Sequence, residues 1–231
     1  MARTIGHPVC RRARREGFSL TEVLLALSIL GIGLAMVMAV FPAAIEESRN
    51  SVENVLGTII CENGLSICKV RVPRASVAGT TLAPVALSSS ARTYPADSND
   101  ATRGFLVLGR RLNVVRNEYQ LVIVSYAKRQ VSNDVKAEFI GKSIDPNATQ
   151  LTVNAGQKYL LQLGSPVIDA ATGNYATILA VNDQTAVLDH GLGSAGGTLY
   201  FIIETSGGSP LSGAKVSPAM TVMVARTGLN Q

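Results

Sequence analysis

Between Phe18 and Ile45 the chain runs through 28 residues with a single ionisable side chain, Glu22. About 20 apolar residues cross a bilayer as a helix, the one open-chain form whose backbone groups satisfy each other without water. This run fixes the first element as a membrane-length helix. Arg3, Arg11, Arg12, Arg14 and Arg15 precede it. The positive-inside rule keeps those arginines in the cytoplasm and sends the C-terminus across the membrane. A secretory signal peptide has an apolar core of about 7–15 residues ending in a small-residue cut. Here the core is longer, and Ala39–Ala44, broken by Phe41 and Pro42, is a poor cutting site. Arg14-Arg15 ahead of Phe18 and Leu20 suggests a twin-arginine export signal, but such signals have milder cores without an acid. A plain signal anchor leaves Glu22 unexplained.

The net charge of +5 belongs to the N-terminal arm. Five arginines against Glu16 place +4 in residues 1–17, leaving 16 basic and 15 acidic residues, or +1, over 18–231. The chain beyond the arm has no electrostatic drive towards polyanions, so no nucleic-acid partner is expected for it.

Glu22 carries the most information. A carboxylate in the apolar part of a membrane helix costs roughly 2.5–3.5 kcal/mol even on the gentle translocon scale, and such residues usually have a partner. Its surroundings are Gly17-Phe18-Ser19-Leu20-Thr21-Glu22-Val23-Leu24-Leu25-Ala26-Leu27. This string resembles the type III signal of the type IV pilin superfamily. That signal has a short basic leader, a Gly, an aromatic residue, and a Glu fifth in the mature chain, opening an apolar helix. The resemblance covers about residues 11–45 and implies several things. A prepilin peptidase cuts between Gly17 and Phe18, and the freed Phe18 amine is N-methylated. Glu22 of one subunit then pairs with the Phe18 amine of its neighbour. At 4 Å and an effective dielectric of about 20 such a pair attracts by about 4 kcal/mol, so burying Glu22 becomes tolerable only in the assembled state. The acid thereby acts as a register pin. Gly31, Gly33 and Pro42 are candidate flexibility points. Glycines permit close helix approach, a proline removes a helix hydrogen bond, and in the family such residues mark a stretch that melts during polymerisation. Phe41-Pro42 also reads as a membrane exit.

The helix is expected to continue to about residue 71, with Ile45, Val52, Leu56, Ile59, Ile67 and Val70 near a three-to-four spacing and Pro73 stopping it. On such a helix Cys61 and Cys68 lie about 10 Å apart at ~1.5 Å per residue, whereas a disulfide needs Cα atoms within about 7 Å. This predicts two buried thiols, a bridge requiring a broken helix.

Residues 73–103 read as a loop rich in Ser, Thr, Ala and Pro. There Asp97, Asn99 and Asp100 offer oxygens but read as a turn rather than a calcium loop. The pattern then becomes β. The runs are Phe105–Leu108, Tyr119–Tyr126, Val135–Ile140, Tyr159–Leu163, Tyr175–Val181, Thr185–Leu188, Leu199–Ile203 and Met220–Val224. Asn182-Asp183-Gln184 reads as a hairpin turn. His190, beside Asp189, is the one histidine after the leader and reads as a turn residue at a strand end. A hydrolase triad needs three converging groups, and neither a nucleophile elbow nor a P-loop occurs. No catalytic activity, metal or cofactor is expected.

The expected fold class is α+β: a long N-terminal helix, transmembrane in its first half, packed on a C-terminal antiparallel β head in a pilin-like lollipop. The expected segments are a leader at 1–17, a transmembrane assembly helix at 18–45 and its amphipathic continuation at 46–72. A periplasmic β-rich head follows at 73–231, with a small β module at about 150–204. The resemblance implies a minor pilin or minor pseudopilin, single-pass in the inner membrane with its N-terminus cytoplasmic and its head extracytoplasmic, and later in a pilus or pseudopilus. Its implied partners are the prepilin peptidase, other pilin or pseudopilin subunits, the inner-membrane assembly platform and the lipid bilayer. The rival reading is a signal-anchored envelope protein with a β binding domain that never polymerises.

Overall fold

The computed structural model describes residues 17–93, 102–129, 132, 134–147, 149–193, 197–211 and 217–229. The leader before Gly17, with Cys10, and the loop residues Asp97, Asn99 and Asp100 lie outside the described residues. The chain forms two compact units, Met1–Asn50 and Ser51–Gln231. It is α+β: a long N-terminal helix, α1 (Leu20–Arg71), precedes an antiparallel β domain.

In the first unit every described residue is exposed. Leu20, Leu24, Leu27, Leu30 and Leu34 all present their side chains outward. An apolar stretch with no protein covering it is suited to lipid or to other helices rather than to water. Ser28 satisfies its hydroxyl by donating to the Leu24 carbonyl at 2.8 Å, so it adds no unpaired polar group to the run. Pro42 lies inside the helix.

In the second unit α1 runs to Arg71, and the Val72 amide still donates to the Cys68 carbonyl at 3.0 Å. Pro73, whose ring disfavours a helical residue before it, then ends the helix and leads into a 3-10 turn at Arg74–Val77. The helix buries a face that only partly matches the one expected: Ile67 packs against the core and Leu56 is half-buried. Its buried residues are Gly57, Ile60, Cys61, Gly64 and Cys68, whereas Val52, Ile59 and Val70 are 55%, 39% and 76% exposed. Close approach explains the choice. A Cβ on Gly57 would stand 2.3 Å from Thr221 Oγ1, and one on Gly64 would stand 3.0 Å from the Phe105 ring. The helix backbone therefore lies directly on the sheet, with the small residues Gly57, Cys61 and Gly64 and the branched Ile60 making the contact. Cys61 and Cys68 are buried free thiols. Burial pushes the Cys68 thiol up to about 12.

After α1 come β1 (Ala83–Pro84), a short helix α2 (Ser89–Arg92), β2 (Arg103–Asn113) and β3 (Glu118–Ala127). Then follow β4 (Val135–Ser143), β5 (Pro146–Asn147), β6 (Gln150–Thr152), β7 (Pro166–Asp169), β8 (Tyr175–Asn182) and β9 (Thr185–Leu188). The last strands are β10 (Thr198–Ser206), β11 (Ser209–Pro210) and β12 (Ala219–Gly228). One sheet has the order β1-β2-β3-β12. The second has eight strands in the order β11-β10-β7-β8-β9-β6-β5, with β4 paired to β10 along its whole length. All strands of the second sheet therefore lie in sequence between β3 and β12, which are hydrogen-bonded neighbours in the first.

Three apolar clusters hold these layers. Ile60, Cys61, Val72, Val107, Leu121 and Ile123 lie between α1 and one face of the first sheet. Leu106, Leu108, Val122 and Val124 from its other face meet Ala137, Ile168 and Ile202 of the second sheet. Leu151, Leu160, Val167, Ile178, Leu188 and Phe201 form a separate core within the second sheet. Because β3 is covered on both faces, it reads as an apolar run rather than an alternation.

Arg110 and Arg129 join the layers. Arg110 donates through Nε to Gln120 Oε1 at 2.7 Å and through its terminal nitrogens to the Ala171 and Thr172 carbonyls. The loop it grips is shaped by the fully buried Asp169, which accepts from the Ala171 and Thr172 amides at 3.0 and 3.1 Å. Arg129 reaches both carboxylate oxygens of Glu53 at 3.4 Å and the Ser217 carbonyl at 3.3 Å.

One expected strand is a helix. Tyr159–Leu163 falls on a 3-10 turn at Ala155–Leu160 and the residues after it. The Asn154 amide donates to Gln157 Oε1 at 3.4 Å and the Gln157 amide to the Asn154 carbonyl at 2.8 Å, a helix-start pattern that overrides the β propensity of the run. At the β8–β9 hairpin Asn182 pairs with Thr185, leaving a two-residue turn of Asp183 and Gln184 with Asp183 at φ 51°.

Candidate functional site

The candidate site is the start of α1. Gly17, Phe18 and Ser19 precede the helix and carry no regular secondary structure. Phe18 is 82% exposed, and a Cβ on Gly17 would meet nothing within 4 Å. The bond between them is therefore sterically open.

Ser19 sets where the helix begins. Its carbonyl accepts from the amides of Glu22 at 3.0 Å and Val23 at 3.2 Å, and its hydroxyl oxygen accepts from the Glu22 amide at 3.3 Å. The Ser19 and Thr21 hydroxyls are 2.9 Å apart. Four amides at a helix start lack intrahelical acceptors, and a serine side chain supplies one. Ser19-Leu20-Thr21-Glu22 has the S-x-x-E spacing of a capping box, a signal of the helix start that is present in the sequence.

Glu22 thus stands in the first turn, where the exposed amides favour a negative charge. Among the described residues no ion pair uses it. The sequence-singled Gly31 and Gly33 are exposed, and a Cβ on either would meet nothing within 4 Å. Pro42 is 22 residues beyond the first residue of α1, so it and the two glycines are spread along the helix rather than gathered with Gly17, Phe18 and Glu22. Leu34, Met38, Phe41, Pro42 and Ile45 line an apolar concavity on the helix that ends at Glu46 and Arg49.

Elsewhere, His190 Nδ1 lies 2.8 Å from Asp189 Oδ1, and the same oxygen accepts from the Thr177 amide at 2.8 Å. The pair closes the end of β9 against β8 and stands 56% exposed at the histidine. Among the described residues no three His, Cys, Asp or Glu side chains are grouped to hold a metal.

The family model of the prokaryotic N-terminal methylation motif matches residues 12–38. No curated protein and no solved structure matches the chain. The match spans the open Gly17–Phe18 bond, the Ser19 cap, Glu22 and the exposed apolar helix together. The helix is long and apolar enough to cross a membrane, and together with the prepilin-type motif it supports membrane anchoring. The chain carries the prepilin-type N-terminal signal of the type IV pilin-like proteins.

Proposed function

We propose that the chain is a minor pilin or minor pseudopilin, a structural rather than catalytic subunit of a type IV pilus or a type II secretion pseudopilus. The observation that carries this reading is the methylation motif laid over a helix start whose Gly17–Phe18 bond is open and whose first turn holds Glu22. In this reading a prepilin peptidase at the cytoplasmic face removes the arginine-rich leader after Gly17. Phe18 becomes the mature N-terminus and is methylated, keeping its positive charge. The head lies on the extracytoplasmic side.

Assembly then follows from electrostatics. Glu22 in an apolar surround lacks water to solvate it, and the Phe18 ammonium of an adjacent subunit supplies the opposite charge. At about 4 Å and an effective dielectric of about 20, the attraction is about 4 kcal/mol, against about 1 in bulk water. The pairing rewards only one axial register between neighbours, so it both drives and aligns polymerisation. Gly31, Gly33 and Pro42 are the places where the helix yields as subunits leave the bilayer for the filament, and the membrane assembly platform is where that transfer occurs.

The test is a pair of variants. Glu22→Ala and Glu22→Gln are expected to be processed and membrane-held, but to drop out of the sheared filament fraction by more than ten-fold. A chain that never polymerises would tolerate both, and unchanged recovery of subunit in filaments would refute the assembly role.

A further inference from the structure

Resting on the processing reading above, we propose that Ser19 is a positioning residue for leader removal: by capping α1 it holds the Gly17–Phe18 peptide outside the helix, in a non-helical form that a peptidase can engage. A peptide inside an α-helix has its N–H and C=O directed along the axis into neighbouring turns and its carbonyl carbon shielded by them. Hydrolysis needs that carbon open. Water oxygen adds to the Gly17 carbonyl carbon, the C–N bond to Phe18 breaks, and the departing nitrogen takes up a proton to leave as an amine.

Without a stop, the apolar helix would tend to grow towards its N-terminus, since each added residue gains a backbone hydrogen bond once a nucleus exists. Ser19 opposes this. Its hydroxyl oxygen and its carbonyl already hold the Glu22 amide, and its carbonyl also takes Val23. The cap thereby fixes Leu20 as the first helical residue. Gly17, Phe18 and Ser19 lie outside the helix, with Phe18 82% exposed and nothing within 4 Å of a Cβ placed on Gly17. Independently of the cap, the methylation motif runs through this bond. Glu22 then has a part in both stages: its amide donates to the cap that keeps the bond out of the helix, and its carboxylate later meets the neighbour's amine.

The experiment follows cleavage of the full-length precursor in membranes containing prepilin peptidase, for Ser19→Ala, Ser19→Thr, Ser19→Gly and the unaltered chain. Replacing a serine cap with alanine disfavours the capped helix start by about five-fold, equivalent to about 1 kcal/mol, whereas glycine costs only a few tenths. Ser19→Ala is expected to slow cleavage about five-fold, with Ser19→Thr and Ser19→Gly within two-fold of the unaltered rate. Backbone chemical shifts at Gly17 and Phe18 in micelles should move towards helical values in Ser19→Ala alone. Glycine separates a helix stop from direct reading of the hydroxyl, because it stops helices without one. Cleavage of Ser19→Ala at the unaltered rate, or of Ser19→Gly as slowly as Ser19→Ala, overturns the proposal while leaving the processing reading intact. An unaltered precursor that is not cut after Gly17 overturns both.

Discussion

Of the two buried glycines of α1, Gly57 has the tighter contact with the first sheet, and Gly57→Ala tests that contact. The added Cβ would stand 2.3 Å from Thr221 Oγ1, 2.9 Å from Thr221 Cβ and 3.0 Å from Ser125 Oγ. Ordinary contact begins at 3.4 Å, so about 1 Å of separation is required. Rotating Thr221 does not supply it, because its Cβ is fixed to a strand paired with β3 at Ser125. The helix must lift or β12 must shift. Overpacking of this kind costs about 1–3 kcal/mol. Alanine regains about 0.8–1 kcal/mol over glycine as a helix former. With three atoms closer than ordinary contact the cost falls in the upper part of that range, about 2–3 kcal/mol, so the net loss expected is about 1–2 kcal/mol. The protein has no tryptophan, and its six tyrosines all lie between residues 94 and 200, so tyrosine fluorescence follows the β domain alone. Urea unfolding of the detergent-solubilised chain by that signal should show a lower midpoint with unchanged slope. In a Thr221→Ala background, which removes the 2.3 Å clash, the cost of Gly57→Ala should fall by about 1 kcal/mol, a coupling between touching residues. Gly57→Ala as stable as the unaltered chain, or more so, would refute the close-approach reasoning.

Other consequences are equally open to measurement. Arg110→Ala should cost about 2–4 kcal/mol in the same assay, since it leaves the Ala171 and Thr172 carbonyls and Gln120 without their donor. Arg110→Lys should recover little, because a lysine has no planar fork. Cys61 and Cys68 should resist iodoacetamide at pH 8 in the folded mature chain and react fully in urea, read by intact mass; rapid native labelling would contradict their burial. Burial holds the Cys68 thiol protonated up to about 12, against an ordinary value of 9.0. The folded state then binds more protons than the unfolded one between these values. Stability is fully present below pH 9 and falls as pH rises towards 12, by at most about 1.4 kcal/mol per unit. Cys68→Ser should flatten that part of the urea-midpoint profile.

The helix and most long strands were legible because each leaves a strong periodic or composition signal. The 28-residue apolar run could be little else, and β3 announced itself as Tyr119–Tyr126 because both its faces are covered. The buried face of α1 was only partly legible, through Ile67 and the half-buried Leu56. Hydropathy spacing favoured Val52, Ile59 and Val70, but contact distance, not apolarity, selected Gly57, Cys61 and Gly64. A glycine scores as a helix weakness in sequence and reveals its use only when the neighbouring sheet is known. Tyr159–Leu163 has strand-like residues, yet the Asn154 and Gln157 contacts turn the chain into a helical turn before them. Short strands such as β5, β6 and β11 have too few residues to show a period, and only pairing with distant partners defines them. At the candidate site, Gly17, Phe18 and Glu22 stood out through their spacing, while Ser19 did not. Its Ser-x-x-Glu spacing is present in the sequence, but that spacing gains a meaning only where a helix starts at Leu20 and the Glu22 amide reaches the Ser19 hydroxyl.

The most direct test of the account is the mass and sequence of the N-terminal peptide of the protein purified from filaments or membranes of its own host. The account predicts a chain that begins at Phe18 and carries one added methyl on its amine. A chain that retains its arginine arm, begins at another residue, or carries an unmodified Phe18 in assembled filaments would contradict it.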